Sequence, residues 1–568
     1  MRHLTAALVG LGLGLAALGP ALSPGFTLAY DMVFVPEPEF DRMTFGLTGT
    51  LPRHVPSDAL VALLGTLLPG DLVQKLILLS VFVMACTSAA WLVPSEHAAA
   101  RLAAGVCYAW NPFVAERLLL GQWALLLGYA ALPWALGRAA GVTARGGGRR
   151  LLLSLVPAGI GGFAALAVSG LAALVVAVTA ARPRATAALR VAGAVLVLSL
   201  PWLVTGWLRP AGVPADTAAV EAFAARADTP FGAVGSLLLL GGVWNGETVP
   251  RQYGHPVTAT AWLLVVLAAL AAYGHRWRCE RDPAYAGVAA AGLAGFAVAA
   301  LGAVAPWLLR GLIALWPGFA VLRDGQQYVA PLAVVVAVGA GLAVAWLLPR
   351  VPAFGVVCAA LLPIALLPSL AWGAAGRLQS VRYPDSWEQA RRIVRADRVP
   401  GDVLVLPWAP YRSYPWNGHR RVLNPLPRYL PRRVVLNDAV TVGDITVPTE
   451  DPRAKGLDAA VRGHGPLTAT LRAHGIRYVA VDAEAPSVTA ALRARMPEAR
   501  VVLSAPELTL LQVPSPRRPV DPAPPQVIVV IAWIVTIGVV GWSMSGTPIN
   551  LVAHSTPFSR RKAPLCGS

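Results

Sequence analysis

The chain has 568 residues, 56% of them hydrophobic and only 13% charged, with a mean hydropathy of +0.59. A soluble globular protein carries about 25% charged residues; repeated apolar runs of about 20 residues read instead as a polytopic membrane protein. The net charge of +18 is nearly all arginine, with Lys75, Lys455 and Lys562 the only lysines. Much of it sits in short loops between apolar runs, which orients a protein in a membrane rather than binding it to nucleic acid.

In chain order, the pattern predicts about twelve spans: 4–22, 72–93, 98–112, 121–140, 150–163, 164–181, 188–207, 258–277, 285–304, 327–347, 353–373 and 526–546. The fifth and sixth come from one long apolar run, which "PAGIGGF" breaks into a hairpin with arginine-rich flanks. An inside N-terminus places Arg2, Arg138, Arg145, Arg149, Arg150, Arg182, Arg184, Arg190, Arg276, Arg278, Arg281, Arg350 and the tail "SRRK" on the inner face. The first span reads as an uncleaved helix, although "RH" before it and "ALS" after it also fit a signal peptide. Both termini are then cytoplasmic in a plasma-membrane, multi-pass protein.

Three segments fall outside. Loops 23–71 and 208–257 belong to a transmembrane core, 1–373. Segment 374–525 reads as a small extracytoplasmic α/β domain, with helix-like stretches at 385–397, 458–474 and 487–496 and strand-like ones at 402–407, 433–438, 476–482, 499–504 and 508–513. The proline-rich "PSPRRPVDPAPPQ" links it to the last helix and the basic cytoplasmic tail, 526–568. The five cysteines show neither CxxC nor ligand spacing, so neither a disulfide framework nor a zinc site is expected. Motifs of soluble hydrolases and nucleotide-binding proteins are absent from the sequence.

Chemistry is therefore sought in polar residues at membrane edges. "LAYDMVFVPEPEFDR" carries Asp31, Glu37, Glu39 and Asp41. Glu37 and Glu39 read as a solvated, proline-flanked turn. Asp31 lies in apolar sequence, where an acid is costly and therefore points to function; such a carboxylate serves as general base for an attacking hydroxyl. In "NPFVAERLLLGQW", Glu116, Arg117 and Gln122 line a short outside turn, fit either for phosphate and sugar hydroxyls or for capping a helix hairpin. Arg323 and Asp324, before "GQQY", suit an anionic head group or an ion pair. Residues 217–227 read as a short amphipathic helix, and "SLLLLGGVW" is too short to span. After it come Trp244, Asn245, Glu247, Arg251, Tyr253 and His255, suited to head groups or to interfacial anchoring. In 406–421, Trp408, Tyr411, Tyr414 and Trp416 either stack on sugars or dock the domain.

The stretches "LAYDMVFVP" (28–36), "LPGDLVQKLILL" (68–79), "ARLAAGVCYAWNPFV" (100–114) and "GQWALLLGYAALPW" (121–134) resemble the GT-C class of glycosyltransferases. The similarity is to the membrane core of the large mycobacterial-type α-(1→3)-arabinofuranosyltransferase, and more weakly to YfhO-type membrane proteins. That class has larger members whose outside region, with carbohydrate-binding modules, is far longer than 374–525. The resemblance implies an enzyme that moves a sugar, arabinofuranose or mannose, from a polyprenyl-phosphate donor to a cell-envelope glycan or lipid on the outer face, inverting the anomeric centre. It implies Asp31 as base with Asp41 as fallback. Arg323, Lys75 and Arg117 would hold the donor phosphate or lipid, and Glu116, Gln122, Asp324, Trp244, Glu247 and Tyr253 would contact substrate. The resemblance assigns no cofactor and leaves a divalent cation open. The alternatives are a non-catalytic GT-C-like partner in envelope assembly and a lipid or polysaccharide transporter; a transporter requires mid-span charges, which are few here.

Overall fold

The computed structural model describes residues 2–48, 50–209, 217–482, 486–519 and 524–545. The expected basic tail, 546–568, lies outside the described residues, as do 210–216 and part of the proline-rich linker at 520–523. About 63% of the chain is helical, with a small sheet-bearing region before the last helix.

Among the described residues, eight helices are long and apolar enough to cross a membrane: His3–Leu22, Gly70–Leu92, Gly162–Ala180, Arg184–Trp207, Pro256–Glu280, Pro283–Val304, Gly325–Leu347 and Gln526–Ser545. A ninth forms if Ala353–Leu366 and Pro368–Gly376, bent by 60°, act as one span. The other three expected spans are helical but fall short in length or hydropathy: Ala98–Ala109, Trp123–Ala140 and Gly147–Ile160. Eight or nine helices, rather than twelve, therefore qualify on their own.

Asn111 explains the shortest of the three. Its Nδ2 donates to the carbonyls of Cys107 and Tyr108, while its Oδ1 accepts from Val114 N at 3.1 Å. One side chain thus closes the helix Ala98–Ala109 and caps the next, Pro112–Leu119, with Pro112 in the first turn. Twelve residues of helix reach only about 18 Å. At "PAGIGGF" the chain breaks as the sequence predicts, between Gly147–Ile160 and Gly162–Ala180, with Gly162 at φ +79°.

The amphipathic helix expected over 217–227 is only Ala218–Ala222; "ARADTP" leaves the helix because Asp228 turns back to accept from Gly242 N and Val243 N. The last helix returns to the bundle: Arg149 lies 4.4 Å from the Trp542 ring, and Thr536 donates to Val197 O. The C-terminal end of that helix and the arginine-rich 145–150 loop therefore share one end of the bundle.

The sheet has five strands in the spatial order Arg500–Ser504, Leu508–Gln512, Ile476–Asp482, Asp402–Leu406 and Val434–Val435. The first three pair antiparallel and the last three parallel. Short apolar runs account for these strands, and the two long central ones, Asp402–Leu406 and Ile476–Asp482, are buried almost throughout. The expected helix 458–474 is two helices, Pro452–Arg462 and Thr468–Ala473, because "GHGP" interrupts it.

Candidate functional site

The loop after the first helix is fixed from below by the start of Gly70–Leu92. Gln74 accepts from Thr27 N at 2.9 Å and donates to Thr27 O at 2.7 Å. Lys75 donates to Gly25 O and to Asp71, both at 3.1 Å. Lys75, expected to meet phosphate, is thus engaged in holding the loop.

The next residues form the seat of Asp31. Tyr30 adopts φ +44°, Met32 N donates to Ala29 O, and Asp31 N donates to Leu120 O at 3.1 Å. This close approach requires Gly121, at φ +78°, because a Cβ there would stand 2.2 Å from Met32 N and 2.4 Å from Ala29 O. From above, Tyr30 N donates to Arg421 O at 2.7 Å and Leu423 N donates to Tyr30 O at 2.8 Å. The loop is thereby added to the hairpin of Tyr411–Ser413 and Arg421–Leu423, and Tyr411 donates to Asp31 Oδ1 at 2.8 Å.

Burial raises the Asp31 carboxyl above its ordinary range; the Tyr411 hydroxyl and the charges of Arg53 and Arg428 pull it back, and Asp324 pushes it further up. Asp31, His54, Asp324, Arg428 and Tyr411 are half-buried, and Arg53 beside them is exposed. Together they form a recessed polar cluster that water reaches. Burial, with Arg428 and Arg53 nearby, holds His54 neutral, well below its usual value.

The expected site residues divide into groups. Asp324 joins Asp31; burial raises its carboxyl, and Arg117 is the cation that most opposes this. Arg117 is 1% exposed, donates to Gln122 Oε1 at 2.9 Å and lies 5.3 Å from the Phe113 ring. Asp31, Asp324, Arg117 and Gln122 thus form one connected neighbourhood. Asp324 Oδ1, Arg117 Nε and both polar atoms of Gln326 are buried without a hydrogen-bond partner among the described residues, which marks a polar interior able to receive a ligand or water.

Glu116, also 1% exposed, faces the other way, against Asp228 and Tyr253. Burial raises both carboxyls, and the charge of Asp228 raises Glu116 further. Tyr253 is buried and donates to Leu239 O. Trp244 packs edge-on against Phe223 at 5.0 Å. Glu247 accepts from Tyr30 and lies 3.7 Å from Arg421, at the rim of the Asp31 seat. Arg323 lies 3.7 Å from Glu450 and 5.7 Å from the Phe223 ring. Asp41 is occupied by Thr44, whose N and Oγ1 lie 2.7 and 2.8 Å from its Oδ1. With Asp58, Phe34, Trp123, Arg428 and Tyr429, Asp41 lines a narrow cleft of about 30 Å³, which shares Arg428 with the Asp31 cluster.

Glu37 and Glu39 do more than face water: Arg391, on helix Asp385–Ala396, reaches them at 2.6 and 3.0 Å, and Arg395 also pairs with Glu39. Tyr414 and Trp416 are stacked 4.8 Å apart within the sheet region, and Tyr414 donates to the buried Asp482 at 2.6 Å. The aromatic run is therefore packed rather than displayed, with Tyr411 alone reaching Asp31. Arg53, His54, Arg428 and Asp228 were not anticipated. Arg53 and His54 sit in "LPRHVP", whose spacing carries no motif. Among the described residues, no group of three or more His, Cys, Asp or Glu side chains converges to hold a metal.

A long first loop with a deep-set acid, on a helical bundle that carries a sheet-bearing region before its last helix, is a fold shared with solved structures. In particular, the chain is similar to arabinofuranosyltransferase AftD from Mycobacteria: the cryo-EM structure aligns with TM-score 0.56 and 19% identity, over 91% of this chain and 40% of that one. A mutant AftD structure aligns with TM-score 0.56 and 18% identity, over 91% and 42%. The chain thus spans about two fifths of the length of these structures, and at such identity the likeness is one of fold. No family profile and no curated protein matches the chain.

Proposed function

We propose that this protein is a GT-C-type membrane glycosyltransferase that moves a sugar from a polyprenyl-phosphate donor to a cell-envelope glycan or lipid at the outer face. The acceptor hydroxyl oxygen attacks the anomeric carbon as the carbon–phosphate-oxygen bond breaks. The hydroxyl proton passes to the Asp31 carboxylate, and polyprenyl phosphate leaves with its electron pair. Attack opposite the leaving group inverts the anomeric centre. Arg117 and Arg323 are assigned to the donor phosphate, joined by Arg53 and Arg428, which act electrostatically on Asp31.

The observation that carries this reading is the seat of Asp31. A half-buried carboxylate is held by its backbone between Leu120 and the 421–423 strand, beside Arg53, Arg428 and Asp324, on a fold like that of AftD. Arabinofuranose is the first donor sugar to test because AftD is an arabinofuranosyltransferase. The reading is tested by incubating purified protein with polyprenyl-phosphate arabinofuranose or mannose and a defined glycan acceptor. A product of inverted configuration supports it; absence of transfer from both donors opposes it.

The second reading, a non-catalytic partner in envelope assembly, is favoured by one observation. Arg53 already pairs with Glu450 at 2.5 Å, and Arg428 pairs with both Asp58 oxygens, at 2.9 and 3.4 Å. A donor phosphate has to compete with these carboxylates.

A further inference from the structure

We infer that the sheet-bearing region is part of the active site, and that its Tyr411 is a positioning residue that holds the Asp31 carboxylate in place as an acceptor of protons. The inference rests on the assignment of Asp31 as the base.

The geometry is specific. Tyr411 and Asp31 are 380 residues apart in sequence, yet the hydroxyl donates to Oδ1 at 2.8 Å. One backbone pairing and two side-chain contacts fix that distance. Tyr411 is in register with Leu423 in the hairpin, and the same Leu423 donates its N–H to Tyr30 O, one residue before Asp31. At the hairpin's turn, Asn417, fully buried, donates to Leu28 O at 3.2 Å. The Tyr411 ring meets the Tyr30 ring edge-on at 6.1 Å. The hairpin and the loop are therefore joined by the Tyr30–Val422 bridge, which holds the Tyr411 backbone beside Asp31.

The chemistry follows from the donor. A phenol hydroxyl that donates to one carboxylate oxygen favours the ionised form and fixes the rotamer, leaving Oδ2 for the incoming hydroxyl. A half-buried base needs such a donor, because desolvation alone keeps it protonated. The other charges acting on Asp31 are Arg53 from the first loop, Arg428 from the sheet region and Asp324 from the segment before Gly325–Leu347; Glu247 lies at the rim, on Tyr30. Of the first three, Arg53 and Arg428 already have carboxylate partners and Asp324 has the wrong sign. Tyr411 is the neutral group that does this without competing with a donor phosphate.

The test compares wild type, Tyr411→Phe, Asn417→Ala and Asp31→Asn, each folded by thermal unfolding. Phenylalanine keeps the ring against Tyr30 and removes only the hydroxyl. A water-soluble carbodiimide with glycinamide labels protonated carboxyls, so mass spectrometry of the Asp31 peptide against pH reads its protonation whether or not sugar is transferred. Tyr411→Phe is expected to move the Asp31 labelling midpoint, and the acid limb of kcat, upward by about 1–2 pH units. It is also expected to lower kcat about tenfold or more with little change in donor KM. Asn417→Ala, which loosens the hairpin without touching Asp31, gives a smaller shift in the same direction and keeps the inference testable if Tyr411→Phe does not fold. An unmoved midpoint overturns the inference, as does faster transfer by Tyr411→Phe, which would make the tyrosine a plug. Asp31→Asn with full transfer defeats the assignment of the base while leaving the labelling shift to stand or fall by itself.

Discussion

Replacing Gly121 with alanine probes the seat of Asp31 without touching any charged group. The new Cβ would stand 2.2 Å from Met32 N, 2.4 Å from Ala29 O and 2.9 Å from Asp31 N, where ordinary contact begins near 3.4 Å. All three are backbone atoms, so no side chain can swing aside, and the 29–32 loop has to retreat by about 1 Å. Gly121 is also at φ +78°, which costs a non-glycine residue about 1–2 kcal/mol. Overpacking of a tight contact adds about 1–3 kcal/mol. The expected destabilisation is about 2–5 kcal/mol. In the protein that still folds, a shift of this size at the base lowers kcat about 100-fold. Thermal unfolding in detergent and steady-state transfer with a polyprenyl-phosphate donor measure the two effects. A Gly121→Ala protein with wild-type melting temperature and wild-type kcat would refute the argument that this glycine sets the position of Asp31.

Other outcomes follow from the same geometry. Arg391→Ala removes the 2.6 and 3.0 Å contacts to Glu37 and Glu39. Because both acids are partly exposed, the loss is expected to be about 1–3 kcal/mol and to shrink at high salt; faster proteolysis near 377–384 reports the loosened docking. Burial raises Asp31, so activity that needs it ionised is lost as pH falls through a value above the ordinary carboxylate range; an acid limb at or below about 4 contradicts this. Glu116 and Asp228 are also raised by burial, so the folded protein binds more protons than the unfolded one, and stability falls as pH rises above about 4. Glu116→Gln, whose amide can donate to Asp228, is expected to flatten that slope in a pH series of melting temperatures. An unchanged slope would mean that the Glu116 carboxyl is not raised.

Local patterns in the sequence carried most of the architecture. Apolar runs located all twelve helical segments, and short strand-like stretches located the five strands of the sheet. Span length was less legible, because Asn111 ends one helix through hydrogen bonds to Cys107 and Tyr108 and to the turn after it. Asp31 was legible because an acid among apolar residues is costly anywhere. Its partners were not: Tyr411 and Arg428 come from a region almost 400 residues away, and no spacing encodes that. The same limit explains Lys75 and Glu39. Lys75 meets Asp71 on its own helix, but its bond to Gly25 O, like the pairing of Glu39 with Arg391, forms only when the loop folds onto Gly70–Leu92 and onto Asp385–Ala396.

The central claim is that Asp31 takes the proton from the acceptor hydroxyl. It is tested most directly by single-turnover transfer from a polyprenyl-phosphate sugar, comparing wild type with Asp31→Asn at matched folding and donor binding. The account predicts transfer by wild type and a loss of about 100-fold or more in the variant, with donor affinity retained. Equal rates for the two proteins would contradict it.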